Sequence, residues 1–367
     1  MILMYGVRDL KHVFEGAIRR GWVKGLQKVE QNQEELVTFK LKGNPFSTGL
    51  SGSVERSIKN TRFILALLED CMRNGWTMRA MVNLFRESKT ESIVLAQMPE
   101  QKFKPVIGAV ALCSSDMISL VNLPRHLHDT LVHLIERNWP TGVKSMKHLN
   151  HEEDFGLATK RWPFNADSIG SNLHNSRMFL LNLIRAIYEA GYEFYGSGHP
   201  DNVIVAVGTL YFAQVEAPRG VPGMFLLAPH SSDTIITVDA PDSCIEVLRQ
   251  CILQNWSREI QREETHERLH AIKIKGYPFC ASGREAVEAV NIIIHTIQQL
   301  RRAGWRLSGT FDATESIDDT STFLFTQDDP KDITIMAVRL SAHENLTLVN
   351  APSEVVNDVR DLSLIHI

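Results

Sequence analysis

The chain has 367 residues, of which 44% are apolar and 22% are charged, and its formal net charge is -4. These are ordinary values for a globular protein, and the length suggests two or three domains. The small negative charge and a pI near 6.4 argue against a general polyanion binder, although a local basic face is compatible with both values.

The cysteines and the apolar runs indicate the compartment. The five cysteines are scattered and none forms a Cys-x-x-Cys pair, which favours free thiols in a reducing compartment over a disulfide framework. The first six residues are too short and too soon polar for a signal peptide. No apolar run reaches the roughly 18 residues that a membrane span needs. We therefore expect a cytoplasmic protein with no membrane segment.

The first predicted element is a helix from Val7 to Arg20, because its apolar residues recur on one face. Trp22 follows it directly. The same combination of helix and Trp closes later parts of the chain. We therefore expect residues 1–21 to be the closing helix of a preceding unit or an N-terminal cap.

The next clear element is a strand ending in Phe39-Lys40-Leu41-Lys42, where apolar and basic residues alternate. Gly43 and Pro45 end it. An amphipathic helix is predicted from about Ser53 to Asn74. Gly75 then stands where a left-handed helix cap is wanted, since glycine reaches that conformation without strain.

Four more strands follow the glycine, and the pattern is that of an antiparallel sheet. They are predicted over Trp76–Leu84, Ser92–Met98, Val106–Leu112 and Met117–Leu123. The last two flank the short polar stretch 113–116, which indicates a hairpin. A second helix is predicted to begin near Pro124, because proline is tolerated in a first helical turn.

The same landmarks then return twice in the same order at a spacing of about 115 residues. They are a Pro after the basic strand, a Gly followed by an aromatic residue, a Trp after the closing helix, and a Pro before it. The four sets, each with three members, are Pro45, Pro163 and Pro278; Gly75-Trp76, Gly191-Tyr192 and Gly304-Trp305; Trp22, Trp139 and Trp256; and Pro124, Pro241 and Pro352.

The repeat defines the predicted architecture. We expect an α+β fold of three tandem repeats of about 115 residues, each a mainly antiparallel sheet of four to five strands with two helices on one face. The predicted units are residues 22–138, 139–255 and 256–361, the third truncated before its Trp. Residues 362–367 break the helical pattern and can be back-translated into part of a sequencing adapter, so we expect a non-native tail.

Basic residues at the end of the repeated strand are the first candidate binding site. Lys40 and Lys42 project from one face, Lys273 and Lys275 from the equivalent face, and Lys160-Arg161 is predicted to replace them in the middle unit. Such a row could bind phosphate, but lysine also guards strand edges against pairing. No aromatic row supports base stacking, which argues against nucleic acid.

Two arginines form the second candidate. Arg62 and Arg177 are equivalent and lie at the predicted border between helix and sheet, where the third unit has Asn291. A partly buried arginine needs an anionic partner or carbonyl oxygens. The sequence favours an internal ion pair, and a ligand or partner site is the alternative.

Histidine spacing could suit a metal, but no further residue type supports a site. The residues concerned are His126, His128, His148 and His151 with Glu152 and Glu153. Neither pair recurs in the other units, so we predict no metal and no cofactor.

Catalytic motifs are not recognisable. The hairpin residues that could act as bases or nucleophiles are those that turns select in any case, and they are Ser114, Ser115, Asp116, Ser231, Ser232, Asp233 and Glu344. Cys280 is a lone thiol in one unit of three. No glycine-rich phosphate, dinucleotide or nucleophile-elbow pattern occurs.

The leading functional hypothesis is therefore a non-enzymatic binding or scaffolding protein whose like domains contact a protein partner. One alternative is an enzyme or small-molecule binder with one active unit and a cleft between repeats. Another is nucleic-acid or phosphate binding through the lysine faces.

Overall fold

A computed structural model describes residues 2–4, 10–31, 37–43, 54–83, 91–98, 106–114, 116–139, 142–148, 153–160, 171–198, 208–216, 220–313, 321–341 and 345–365. The chain divides into two compact units. The first comprises residues 1–221 with 309–316, and the second comprises residues 222–308 with 317–367.

The described part of the first unit has four helices and eleven strands. The helices are α1 Lys11–Gly21, α2 Val54–Arg73, α3 His126–Asn138 and α4 Ser171–Glu189. The strands are β1 Ile2–Met4, β2 Leu26–Gln31, β3 Val37–Leu41, β4 Trp76–Asn83, β5 Glu91–Gln97, β6 Ile107–Ser114, β7 Met117–Val121, β8 Val143–His148, β9 Phe155–Thr159, β10 Tyr192–Gly198 and β11 Gly208–Gln214.

The remaining elements belong to the second unit, except that the end of β16 is grouped with the first. The helices are α5 Asp242–Asn255, α6 Gly283–Arg302 and α7 Ser353–Ile365. The strands are β12 Met224–His230, β13 Thr234–Val238, β14 Ile260–His266, β15 Leu269–Ile274, β16 Trp305–Phe311, β17 Thr322–Gln327, β18 Ala337–Ser341 and β19 Asn345–Val349.

Two six-stranded sheets share one topology. Their strand orders are β10-β11-β6-β7-β9-β8 and β14-β15-β13-β12-β17-β16, and the described pairings are antiparallel. The elements of each run hairpin, helix, hairpin, helix, hairpin along the chain. Residues 2–97 follow the same order from the second strand of the first hairpin, in sheets β1-β3-β2 and β4-β5. The predicted α+β fold of three tandem repeats is confirmed, with six strands where four to five were expected.

Strand pairing groups these elements in a different phase from the predicted units. The six-stranded sheet of the second repeat joins β6 and β7, which precede residue 139, to β8 and β9, which follow it. A tandem repeat has the same period wherever its start is set, so only the pairing of distant strands fixes the start. That the boundaries at 138/139 and 255/256 separate independent folding units stays a prediction.

One face of the third repeat's sheet packs against both helices of that repeat. In the third repeat, Leu248 of α5 and Ile292 of α6 share one core with Phe225 and Ile272 of the sheet. Burial of such side chains contributes roughly 25 cal/mol per Å² of apolar surface. In the first unit, α2 packs against β3 of its own repeat and also against β6 of the next.

The repeated tryptophan joins the end of the first helix to the end of the basic strand. The indole Nε1 of Trp22 donates to the carbonyl of Lys42, and that of Trp256 donates to the carbonyl of Lys275, both at 2.9 Å. A side chain that is apolar with one N–H suits this place, because the N–H finds a partner while the ring is largely buried.

The repeated glycines occupy the predicted backbone position, and the described prolines lie at or just before the start of a helical segment. Gly75, Gly191 and Gly304 have φ of 78°, 84° and 84°. The carbonyl of Pro241 accepts the first helical hydrogen bonds of α5, so this proline stands just before the helix. Pro278 begins a short 3-10 turn, whereas Pro45 and Pro163 lie outside the described residues.

Replacement of Gly304 by alanine is expected to lower the free energy of unfolding by about 1–2 kcal/mol. The φ of 84° is strained for alanine, and the new Cβ would meet the Asp328 carbonyl oxygen at 3.0 Å. Gly16→Ala in α1 is the control, because a Cβ there meets no atom within 4 Å and should stabilise the helix by about 0.5–1 kcal/mol. Urea denaturation measures both, and a neutral Gly304→Ala would contradict this account.

The two ends differ in part from expectation. The first helix begins at Lys11 and not at Val7, and residues 5–9 lie outside the described residues. At the other end, the prediction that the helical pattern breaks at residue 362 is wrong, because α7 runs from Ser353 to Ile365. Apolar residues at 362, 364 and 365 are compatible with a helix, which explains the error. The non-native origin of 362–367 stays a prediction.

Across the described residues, no helix has both the length and the apolar character that crossing a bilayer requires.

Candidate functional site

Each basic strand is the second strand of a hairpin at the outer edge of its sheet. The outermost strands, β2, β8 and β14, are exposed along most of their length. We call the hairpins β2–β3, β8–β9 and β14–β15 the edge hairpins. The predicted lysines lie on these hairpins or within one residue of them, so the edge hairpins are the candidate partner-binding surface.

Acidic residues neutralise the lysines of the third repeat. The ammonium of Lys273 lies 3.1 Å from Asp233, and that of Lys275 lies 2.7 Å from Glu259. The contact with Lys275 lowers the pKa of Glu259. Lys40 and Lys42 in the first repeat are exposed. In the first edge hairpin Lys28 pairs with Glu30, so the edge hairpins of the first and third repeats both present mixed charge.

Strand register corrects the equivalence predicted for the middle repeat. The N–H of Thr159 donates to the Asp116 carbonyl as that of Ile274 donates to the Asp233 carbonyl. Lys160 is thus equivalent to Lys275, and Ala158 stands where Lys273 does. Lys160 is exposed, and Arg161 lies outside the described residues. The middle repeat therefore has one lysine of the pair, because Ala158 stands at the position of the other.

Arg62 forms the internal ion pair that the sequence favoured. Its Nε contacts Asp154 Oδ2, and the side chains are 25% and 2% exposed. The N–H of Asn122 also donates to Asp154, at 3.3 Å. Asp154 directly precedes β9 of the second repeat, so this pair joins α2 of one repeat to the sheet of the next.

Glu69 extends the same contact between repeats. Its carboxylate accepts from the N–H of Ile107 at 3.2 Å and lies 3.2 Å from Arg73. Burial raises the pKa of Glu69. Asp70 beside it pairs with Arg20 at 2.7 Å and with Arg73 at 2.6 Å. Arg62 and Glu69 therefore join the first two repeats, whereas Asp70 pairs within the first repeat. Of these residues, sequence reasoning identified Arg62 alone.

Arg177, the equivalent of Arg62, is fully buried in α4. A buried guanidinium cannot reach a partner at the surface. For Arg62 and Arg177, as for the lysines, a role in anion or partner binding stays a prediction.

Each repeat joins its first helix to its edge hairpin by a different polar contact. Lys11 lies 3.4 Å from Gln31 in the first repeat. The ring centroids of His128 and His148 lie 5.7 Å apart in the second. In the third, Arg249 of α5 binds both oxygens of Glu263, at 2.8 and 2.7 Å. Lys11 and Gln31 are equivalent to His128 and His148, whereas Arg249 lies one helical turn further along its helix and Glu263 lies two residues earlier in its strand than the equivalent residue.

The contact in the third repeat includes a hydroxyl, an imidazole and a carboxylate in a row. Thr265 Oγ1 lies 2.7 Å from His270 Nδ1, and His270 Nε2 lies 3.0 Å from Glu263 Oε2. Register places Thr265 opposite His270 in the edge hairpin. Because Arg249 holds both carboxylate oxygens, we interpret the row as a structural network that fixes β14 to α5.

Glu263 gives this network a definite pH dependence. Its hydrogen bonds to Arg249 lower its pKa from the ordinary 4.5, so the ionised form stabilises the fold. That contribution is complete above the ordinary pKa and is lost as the pH falls through the lowered value. We expect Glu263→Gln to be about 1–2 kcal/mol less stable at pH 7, with the difference from wild type shrinking below pH 4.5. Urea denaturation across pH measures this; a constant difference would contradict it.

Within the described residues, His128 contacts His148, a histidine of the other predicted pair. His128 stacks on Phe155, with ring centroids 4.7 Å apart, and burial lowers its pKa. It therefore acts as a neutral packing group. His151 and Glu152 lie outside the described residues, and within the described ones no cluster of three metal-ligating side chains forms.

Among the described polar hairpin residues and arginines no reactive set forms; Ser115 and Glu344 lie outside the described residues. Arg62 contacts Asp154, and Asp233 contacts Lys273. Cys280 is exposed, and burial raises the pKa of Cys71 to about 12. A thiol with so high a pKa is not a nucleophile at neutral pH.

Shared topology, shared cap glycines and shared tryptophans define the chain as a tandem α+β repeat protein. One family model, which describes a single domain, matches it three times, over residues 2–96, 107–213 and 223–326. The chain therefore belongs to the family of that domain. The second and third matches begin at or one residue before β6 and β12 and end within β11 and β17, in the phase that strand pairing gives. Searches of curated proteins and of solved structures each found no match.

Proposed function

We propose that the protein is a non-enzymatic binding or scaffolding protein whose like domains contact a protein partner through their edge hairpins. One observation carries this proposal. Most residues that recur in the repeats cap helices, turn the backbone and fill the core, and the lysine that recurs in all three, as Lys42, Lys160 and Lys275, is exposed at the end of an edge hairpin. The acids, hydroxyls and histidines differ from repeat to repeat. Selection for one reaction would instead retain the same acids, bases or ligands.

The charge on the edge hairpins supports a protein partner over nucleic acid. In the third repeat Asp233 and Glu259 neutralise the lysines, and a polyanion gains little from such pairs. Several weakly binding domains in one chain would act together, because linkage raises the effective concentration of the second contact.

We also propose a cytoplasmic location. All five cysteines are free thiols, and Cys71, Cys244 and Cys251 are buried in cores. Free thiols that pack as small apolar groups are usual in a reducing compartment.

The test of the edge hairpins is affinity capture with matched variants. Lys40→Glu with Lys42→Glu reverses charge on the first edge hairpin. Arg19→Glu with Arg137→Glu makes the same charge change on exposed helix positions. We expect the wild type and the control to capture the same proteins, as measured by quantitative mass spectrometry, and the hairpin variant to lose them.

Two results would contradict the proposal. Equal capture by the hairpin and control variants would exclude the edge hairpins. Nucleic acid recovered in place of protein, with affinity that falls steeply as salt rises, would favour the phosphate-binding alternative.

A further inference from the structure

Strand β8 is the outer strand of the second edge hairpin, and its charge differs from that of the equivalent strands. Its sequence, Val143–His148, contains two lysines and no acidic residue. In β2, Lys28 pairs with Glu30, and in β14, Arg262 pairs with Glu264. Of the three outer strands, β8 is therefore the basic one.

The edge of β8 is available to a further strand. Strand β8 lies at the end of its sheet and, among the described strands, pairs with β9 alone. Residues 144–148 are all exposed. In an antiparallel pair, alternate residues of the outer strand direct their N–H and C=O groups away from the neighbouring strand. These outward groups can pair with the backbone of one more strand.

Met146 is an apolar side chain at this edge that the fold leaves uncovered. It lies opposite the buried Leu157, and paired residues share one face of a sheet, yet Met146 is 56% exposed. At the equivalent position Val29 is half buried in the first repeat. In the third repeat it is Glu263, which Arg249 holds. An added strand would cover Met146 with one of its own side chains.

The two lysines of β8 lie where they would meet such a strand. Lys144 is exposed and occupies the bulge at which β8 and β9 shift register. The equivalent bulges of β2 and β14 contain Gln27 and Gln261, so the charge at this position belongs to the second repeat. Lys147 pairs with Glu55, but its side chain is still 55% exposed.

Charge complementarity identifies the occupant. A second β8 strand would bring lysines beside lysines, and like charges on adjacent strands are destabilising. Lysine on an exposed edge therefore guards against pairing with a copy of the same edge. An acidic strand has the opposite sign, so its carboxylates can approach the lysines while its backbone pairs with β8. The edge favours an acidic extended segment over a second copy of the chain.

We propose that β8 binds an extended acidic segment of a protein partner by strand addition, with carboxylates beside Lys144 and Lys147 and an apolar side chain over Met146. This rests on the proposed binding function of the edge hairpins and names the kind of partner for the second of them. Because successive side chains of a strand point to opposite faces, acidic and apolar residues should alternate in the bound segment.

The test uses the full chain and a labelled peptide of alternating glutamate and valine with six residues, the length of β8. Fluorescence anisotropy should show saturable binding. One control peptide has lysine in place of glutamate, and another has a methyl group on every peptide nitrogen, which removes the backbone donors. Each control should bind more weakly by about tenfold or more. If the first peptide does not saturate, or the methylated peptide binds equally well, the proposal is wrong.

Variants of the chain locate the site. Lys144→Glu with Lys147→Glu should weaken peptide binding by about tenfold or more. Met146→Gln keeps both lysines and should weaken it by about threefold or more, which tests the site even if the charge variant does not fold. Arg19→Glu with Arg137→Glu makes the same charge change on helices and should leave binding unchanged. Circular dichroism checks folding, and equal weakening by the helix control would overturn the assignment.

Two other occupants are outcomes of the same experiments. If the chain self-associates in sedimentation velocity and the charge variant of β8 changes that association, the edge belongs to a contact between copies. A single-stranded oligonucleotide that binds more tightly than the acidic peptide, with affinity that falls steeply as salt rises, would assign the edge to phosphate. Either result overturns strand addition by an acidic segment.

This proposal and the proposed function fail separately. If the variant of Lys40 and Lys42 loses its captured proteins but the acidic peptide does not bind, the first edge hairpin remains a partner contact and strand addition at β8 is wrong. If the peptide binds and the charge variant of β8 abolishes that binding, strand addition is supported, whatever the first edge hairpin captures.

Discussion

Replacement of Asp154 by alanine is expected to lower the free energy of unfolding by about 3 kcal/mol. Asp154 is 2% exposed at its side chain, and Arg62, its partner, is 25% exposed. Removal of the carboxylate leaves a largely buried guanidinium without that partner and also removes the acceptor for the Asn122 N–H. Partial exposure of Arg62 keeps the expected loss at the lower end for a broken buried pair.

Two control variants separate the ion pair from other effects. Arg62→Met with Asp154→Leu removes both charges, and we expect it to recover most of the loss because no charge is left buried. Glu259→Ala breaks the exposed pair with Lys275 and should cost much less, because solvent screens an exposed ion pair. Chemical denaturation measures all of them. If Asp154→Ala costs no more than Glu259→Ala, the pair does not stabilise the contact between repeats.

The features that sequence predicted are those written in local patterns. Gly75 and Gly191 were found because a helix cap needs a left-handed residue and glycine adopts it. The hairpin between β6 and β7 was found because a polar turn separates two apolar runs. Such signals lie within a few residues of each other, so a single sequence suffices to read them.

Features that depend on distant pairing were not predicted. Arg62 and Asp154 are 92 residues apart, and nothing local marks Asp154 as the partner. The equivalence of Ala158 with Lys273 likewise follows from strand register and could not be read from the Lys-Arg pattern. For the same reason the period of the repeat was readable while its starting strand was not.

One missed signal was local and could have been used. Asn122, Asp239 and Asn350 recur two residues before a repeated proline. Asn and Asp are enriched among non-glycine residues in the left-handed region. A strand followed by Asn or Asp, one residue and Pro therefore indicates the turn that starts the first helix of each repeat.

Phe225→Ala is expected to cost about 3–5 kcal/mol, the largest effect of any substitution considered for the second unit. The ring is 1% exposed, stacks on Phe325 at 4.9 Å between centroids and meets Trp305 edge-on at 5.0 Å. Loss of the ring leaves a cavity between two aromatic neighbours that cannot collapse far. Hydrogen exchange of the β12 and β17 amides and urea denaturation measure the loss.

The second repeat supplies a sharper version of this test. Strand register makes Gly108 of the second repeat equivalent to Phe225 of the third, and Leu123 equivalent to Ala240. A Cβ on Gly108 would collide with the Leu123 side chain, so Leu123 fills the space that Phe225 occupies in the third repeat. Adding Ala240→Leu to Phe225→Ala should therefore recover about half of the lost stability. Ala240→Leu alone should destabilise by about 1–3 kcal/mol, because it overpacks a core that already contains the ring. If the double variant is no more stable than Phe225→Ala, the two repeats do not fill this core in interchangeable ways.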